Sequence, residues 1–118
     1  MEALSSSGNI AWLKRFDQEI DSHMSNPFLT NLRLAKAMGI SSSHLTRKVK
    51  ELTSKTPNKY IRERRLMAAN KYLHEGTYQT VRQTASAVGY INTGYFNRQF
   101  KEMFKISPFQ VLKDNGWR

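Results

Sequence analysis

Two stretches of the chain combine arginine with polar side chains that can form hydrogen bonds. The first contains Ser43, Thr46 and Arg47, and the second contains Asn97 and Arg98; lysines follow in both. A guanidinium presents a planar fork of N–H donors that can pair with two acceptors at once, whereas lysine carries a compact point charge. This combination is suited to binding a polyanion.

The charge of the whole chain points to the same kind of partner. Its 118 residues contain 19 Lys and Arg against 9 Asp and Glu, a net charge of +10. Residues 1–32 carry two cations and four anions, whereas residues 33–118 carry seventeen cations and five anions. The later part therefore predicts a basic surface for a polyanion, most often nucleic acid. On charge alone, a solvated basic face without a ligand is the alternative.

The residues that usually carry catalysis are poorly placed for it. His23, His44 and His74 occur singly, and cysteine is absent, so no metal-ligand pattern arises. Asp17 and Asp21 share one helix face, where paired carboxylates are usually only solvated. Since no Gly-rich phosphate loop or nucleophile elbow occurs either, we predict no catalytic residue, no metal and no cofactor, and hence no enzyme.

The chain also lacks signals for a membrane. No apolar stretch is long enough for a transmembrane helix, and the N-terminus lacks a basic region followed by an apolar run. We therefore expect a cytoplasmic protein, with no membrane contact by this segment.

Apolar residues recur at helical spacing along the chain, and no strand-type alternation of useful length occurs. The fold class is therefore predicted to be all-α, with about seven helices. A first helix over about 10–24 and a last one near 108–114 flank five others, and the fourth helix of the chain runs to about Glu75. The predicted N-caps are Asn9, Thr30, Ser41, Thr56, Thr80, Asn92 and Ser107.

An internal repeat organises these helices. Its copies are 35–57 and 85–108, each with Ala four residues before Gly and then a Thr-Pro or Ser-Pro helix start. In each copy a short helix, a turn at Gly39 or Gly89 and a longer helix follow one another. This is the helix-turn-helix pattern, and two copies on a basic chain indicate DNA binding more strongly than one.

The repeat resembles the DNA-binding domain of the AraC/XylS family of bacterial transcription activators over roughly residues 10–114. The resemblance rests on Ala-x-x-x-Gly-x-Ser from Ala35, Leu-Thr-Arg-Lys-Val-Lys from Leu45, Tyr-Ile-x-x-x-Arg-Leu-x-x-Ala from Tyr60, and Tyr-Phe-x-Arg-x-Phe-Lys from Tyr95. Members fused to two-component sensor and receiver modules look most similar. Thr84 and Asn31 stand where such domains commonly have apolar residues.

The resemblance implies two helix-turn-helix subdomains joined by a long linker helix. We assign residues 1–8 to a flexible lead-in, 9–55 to the first subdomain, 56–76 to the linker helix and 77–118 to the second subdomain. The implied function is sequence-specific binding of double-stranded DNA, with recognition helices at about 42–53 and 93–104 in adjacent major-groove segments. The alternative is a non-catalytic basic helical module that binds RNA or a partner protein.

The apolar stripes of the two recognition helices leave the predicted base-reading residues facing outward. These are Ser43, Thr46, Arg47, Thr93, Gly94, Asn97 and Arg98. Arginine suits guanine O6 and N7, and asparagine suits adenine. A phosphate contact, or an i+4 pair with Glu51, is the alternative role of Arg47.

The remaining polar and basic residues around these helices are predicted to bind phosphates. They are Ser42, Lys48, Lys50, Arg62, Arg64, Lys101 and Lys105. The resemblance further implies RNA polymerase subunits as partners, and a sensory or dimerising domain outside this chain. We therefore expect an excised C-terminal fragment rather than a small stand-alone member.

Overall fold

The computed structural model describes residues 7–115, which form seven α-helices and no strand. The helices are α1 (Ser7–Ser22), α2 (Asn31–Met38), α3 (Ser42–Thr53), α4 (Pro57–Glu75), α5 (Val81–Ala87), α6 (Thr93–Phe104) and α7 (Pro108–Asp114). The predicted all-α class is confirmed.

Local side-chain chemistry sets the starts of six helices. An oxygen of each capping side chain accepts a hydrogen bond from the backbone N–H three residues later, which satisfies a donor left free at the helix start. These caps are Thr30, Ser41, Thr56, Thr80, Asn92 and Ser107. At α5 the Gln83 side chain also accepts from the Thr80 N–H at 3.1 Å, which completes a capping box.

The predicted boundaries of two helices are wrong. Helix α1 begins at Ser7, so Asn9 lies inside it rather than capping it. A cap preference of about 1 kcal/mol does not stop a helix that can extend by further backbone hydrogen bonds. Of the predicted lead-in, Ser7 and Gly8 are helical and residues 1–6 lie outside the described part. The sequence predicts that the fifth helix ends at Gly89, whereas α5 ends at Ala87 with Val88 as C-cap.

Packing divides the chain into two units, the first of which comprises the described residues up to 23 and residues 28–62. Within it, α2 packs against both α1 and α3. Phe16 is fully buried, with its ring centroid 5.4 Å from that of Trp12 and 5.8 Å from that of Tyr60. The Tyr60 hydroxyl donates to Asp17 Oδ1 at 2.6 Å. This aromatic stack fixes α1 on the start of α4 and so supports the helix pair α2–α3.

The second unit comprises residues 24–27 and the described residues from 63 onward. Helices α5, α6 and α7 pack on one another, and Phe96 and Phe100 are fully buried in this core. Ala85 is 1% exposed, and its counterpart Ala35 in the first unit is fully buried. Because both residues are small, the two helices of each pair can approach closely.

Helices α3 and α6 end in the same way, on a residue with left-handed backbone. Ser54 has φ +61° and Lys105 has φ +63°, and their N–H groups donate to Lys50 O and Lys101 O, each at 2.8 Å. A side chain in this region costs energy that glycine avoids. The two copies of the repeat therefore share a strained C-cap as well as a helix pattern.

We expect Ser54→Gly to raise the free energy of unfolding by about 0.5–1 kcal/mol, because it relieves the left-handed strain at the end of α3. Ser54→Ala keeps a Cβ atom and is expected to give no gain. Urea denaturation of the three proteins measures the difference. Equal stability of the glycine and alanine variants would contradict the strain at this cap.

Candidate nucleic-acid interface

Helix α3 presents a polar face opposite a buried stripe. Leu45 and Val49 are fully buried, whereas Ser43, Arg47 and Lys50 on the opposite face are exposed. The three exposed positions lie three and four residues apart, so they share one side of the helix. The structure thus brings two of the predicted base-reading residues and one predicted phosphate contact together.

The hydroxyl groups on α3 are already partly used within the helix. Thr46 is exposed beside this face, and its hydroxyl donates to Ser42 O at 3.0 Å. A threonine bonded in this way offers its methyl group and an acceptor lone pair to a ligand. Ser42 itself is half-buried at the helix start. Thr46 is therefore placed to meet an apolar group or a donor at this surface.

Helix α6 repeats this arrangement with different side chains. Phe96 and Phe100 are fully buried, and Gly94, Asn97 and Arg98 are exposed. The other two predicted contacts on α6 differ in exposure, since Thr93 is half-buried and Lys101 is exposed. The spacing of the apolar residues on α6 predicts a buried stripe of Phe96, Phe100 and Met103, but Met103, at the end of this stripe, is 37% exposed.

Arg47 and Arg98 occupy equivalent positions but have different surroundings. The guanidinium carbon of Arg98 lies 5.8 Å from the centroid of the Tyr95 ring, within the range of a cation–π contact. In the part of the chain that the structure describes, Arg47 has neither an aromatic ring beneath it nor an ion pair with Glu51. The alternative of an intrahelical Arg47–Glu51 pair is thus not what the structure shows.

The predicted phosphate-binding lysines are not equally placed. Lys48 is half-buried on the side of α3 that faces α1, with Nζ 5.4 Å from the centroid of the Trp12 ring. Lys50 and Lys101 are exposed beside the two arginines, and Lys105 is exposed at the C-cap of α6. Lys50 and Lys101 therefore share a face with the predicted base contacts, whereas Lys48 does not.

The predicted phosphate contacts on α4 fall in separate units. Arg62 belongs to the first unit and Arg64 to the second, and both are half-buried. Because half-burial leaves part of each side chain accessible to a ligand, phosphate binding by Arg62 and Arg64 remains a prediction.

A residue to which the sequence pattern assigned no role, Arg65, lies against the turn before α6. Arg65 Nη2 donates to Asn26 O at 2.7 Å, while Arg65 Nε is buried without a hydrogen-bond partner. Burial lowers the pKa of the Arg65 guanidinium, and the Tyr90 hydroxyl acts in the opposite direction. A Cβ atom on Gly89 would lie 2.9 Å from the guanidinium carbon and would also collide with Met24 O. This turn therefore fits closely around Arg65.

Residues 7–115 were also compared with the geometry of two other features, a metal site and a membrane span, and match neither. Within that range no group of three or more His, Asp or Glu side chains is arranged to hold a metal ion. The same residues contain no helix that is both long and apolar enough to cross a membrane.

Comparison with known proteins identifies this arrangement. A protein-family model described as "Helix-turn-helix domain", of the AraC type, matches residues 34–114. The chain is 32% identical over 99 residues to the regulatory protein SoxS of Escherichia coli K12, and the match covers 84% of each protein. The chain belongs to the AraC-type helix-turn-helix family. As an AraC-type domain, it is a DNA-binding module of transcription regulation.

Two further comparisons connect this AraC-type domain with longer proteins. It is 31% identical over 98 residues to histidine kinase P4 of Formosa agariphila. This match covers 83% of this chain but only 7% of the kinase. A solved structure, the C-terminal domain of the response regulator AraT from Geobacillus stearothermophilus, has a TM-score of 0.76 and 26% identity. That match covers 87% of this chain and 84% of the AraT domain.

Thr84 and Asn31 stand where AraC-type domains commonly have apolar residues, and they differ in whether their polar groups find hydrogen-bond partners. Thr84 is fully buried, and its hydroxyl donates to Thr80 O at 3.1 Å, so its polar group is satisfied. Asn31 Oδ1 is buried without a hydrogen-bond partner. A buried polar atom without a partner costs free energy, so Asn31 weakens the first unit more than Thr84 weakens the second.

Proposed function

We propose that this chain binds specific double-stranded DNA by placing α3 and α6 in adjacent major-groove segments. The observation that carries the proposal is the equivalence of the two helices. Each begins at an N-cap oxygen, buries an apolar stripe, exposes an arginine at the same position and ends on a left-handed residue. Two such helices in one chain suit two successive readings of a duplex.

We assign base reading to the exposed faces of these helices. On α3, Arg47 pairs with a guanine edge, while Ser43 and the Thr46 methyl group contact neighbouring bases. On α6, Arg98 pairs with guanine and Asn97 with adenine, with Thr93 and Gly94 at the start of the helix. Since Gly94 has no side chain to offer, α6 reads fewer base edges than α3.

The basic residues around these faces position the duplex without reading sequence. The assigned phosphate contacts are Ser42, Lys48, Lys50, Arg62, Arg64, Lys101 and Lys105. Lys50 and Lys101 each lie three residues after a base-reading arginine and share its helix face, so we assign the main phosphate contacts to them. Lys48 takes part only if its ammonium leaves the Trp12 ring.

The relatives support a proposal for the wider role. We infer that the chain acts in the cytoplasm as the non-catalytic DNA-binding part of a two-component regulator, since similar segments occur in a protein called a histidine kinase and in a response regulator. A sensory or dimerising domain and RNA polymerase subunits are the proposed further partners. In this organisation 56–76 is the linker between subdomains 9–55 and 77–118.

We expect DNA affinity to fall steeply with salt, because Lys and Arg displace counterions from the phosphates. With about six phosphate contacts, the slope of log affinity against log salt is near −5. The test first selects bound sequences from randomised duplex DNA. The chosen duplex, a random duplex and a structured RNA are then titrated at several salt concentrations.

The selected duplex is expected to bind most tightly and the structured RNA most weakly. A slope near zero on all three ligands would exclude nucleic acid as the partner. Equal or tighter binding of the structured RNA would favour the alternative, a basic module for RNA.

A further inference from the structure

The exposed arginine of α6 rests on an aromatic ring that is itself supported by the core. The Arg98 guanidinium carbon lies 5.8 Å from the Tyr95 centroid. The Tyr95 ring lies 6.0 Å from Tyr90, and Tyr90 lies 5.1 Å from the fully buried Phe96. Tyr95 is nevertheless 43% exposed, so its ring is available on the surface beside Arg98.

The Arg98 guanidinium also lies close to the glycine at the start of α6. A Cβ atom on Gly94 would lie 3.9 Å from Arg98 Nη1, so the guanidinium lies beside the place where another residue would carry its side chain. The equivalent positions on α3 hold Ser43 and His44, and no ring among the described residues lies beneath Arg47. The ring-supported arginine is therefore particular to α6.

An arginine on a ring keeps its hydrogen-bonding capacity. The contact uses the face of the planar guanidinium, whereas pairing with guanine uses N–H groups at its edge. Such a contact also reduces the rotamers that the free side chain visits, so less conformational freedom is lost when a ligand binds.

We infer that Tyr95 is a positioning residue that holds the Arg98 guanidinium ready for a guanine edge. This inference rests on the proposed base-reading role of Arg98. It adds a specificity-determining residue on α6 and explains how a helix with a glycine at a reading position still selects sequence.

The test compares Tyr95→Leu and Tyr95→Phe, each in the wild-type chain and in an Arg98→Ala background. Binding to the selected duplex and to a random duplex is measured for every variant. We expect Tyr95→Leu to weaken the selected duplex about 2–5-fold, the range of an exposed cation–π contact, and to leave the random duplex unchanged. Tyr95→Phe retains the ring and is expected to bind like the wild type.

In the Arg98→Ala background, Tyr95→Leu is expected to cause no further loss. Phe109→Leu serves as a matched control, since Phe109 is a 52% exposed aromatic residue of the same unit on α7, and both duplexes should bind it normally. Thermal unfolding of each variant separates loss of fold from loss of selectivity.

Two results would overturn the inference alone. In the first, Arg98→Ala weakens binding to the selected duplex only, but Tyr95→Leu does not. In the second, Tyr95→Leu weakens binding to the selected duplex by the same factor whether or not Arg98 is present. If Arg98→Ala itself causes no selective loss, the proposed base-reading role of Arg98 fails, and the inference fails with it.

Discussion

Gly89→Ala is expected to lower the free energy of unfolding by about 2–4 kcal/mol, whereas Gly39→Ala is expected to cost only about 1 kcal/mol. Both glycines have left-handed backbone, with φ +89° and +73°. Around Gly39 a Cβ atom would meet nothing within 4 Å, but at Gly89 it would collide with Met24 O and the Arg65 guanidinium. A backbone carbonyl cannot move aside as a flexible side chain can.

The two glycine variants form a matched pair, because they stand at the same position of the repeat. Urea denaturation followed by circular dichroism measures both against the wild type. Equal losses for the two variants would contradict the close approach at Gly89, since backbone strain alone would then account for both.

Arg47→Ala is expected to weaken binding to the selected duplex by about 1–3 kcal/mol and binding to a random duplex very little, because only the selected site offers the matching guanine edge. Arg98→Ala is expected to act in the same way but more mildly, since Gly94 leaves α6 fewer side chains that reach bases. Titrations of both duplexes at two salt concentrations measure these effects.

Lys50→Ala is the matched control for Arg47→Ala, because both residues are exposed on one face of α3. It is expected to weaken both duplexes about equally and to reduce the salt slope by about one unit. Lys48→Ala is a less suitable control, because it also removes the contact of Nζ with the Trp12 ring. Equal weakening of both duplexes by Arg47→Ala would make Arg47 a phosphate contact and leave specificity to Ser43, Thr46 or DNA shape.

The local parts of the fold could be predicted from the sequence because their causes are local. Ser41, Thr80 and Asn92 cap helices through hydrogen bonds that span three residues. The buried stripes follow from helical spacing, apart from Met103, which lies at the end of its stripe and is partly exposed. The start of α1 was missed because the preference of Asn9 for a cap is weak compared with further helical hydrogen bonds.

Contacts between residues far apart in the chain gave no sequence signal. Trp12 is far from Lys48 in sequence, and Asn26 is far from Arg65, yet each pair is in contact. Tyr95 and Arg98 are different, since a spacing of three residues on a helix already places their side chains together. That spacing could have indicated the ring-supported arginine before the structure was known.

Guanine methylation interference on the selected duplex tests the central claim most directly, because a methyl group at N7 blocks an arginine in the major groove. Two recognition helices predict two clusters of interfering guanines about one helical turn, roughly 10 base pairs, apart. Arg47→Ala is expected to abolish interference in one cluster and Arg98→Ala in the other. A single cluster, or two clusters unchanged in both variants, would contradict sequence reading by α3 and α6.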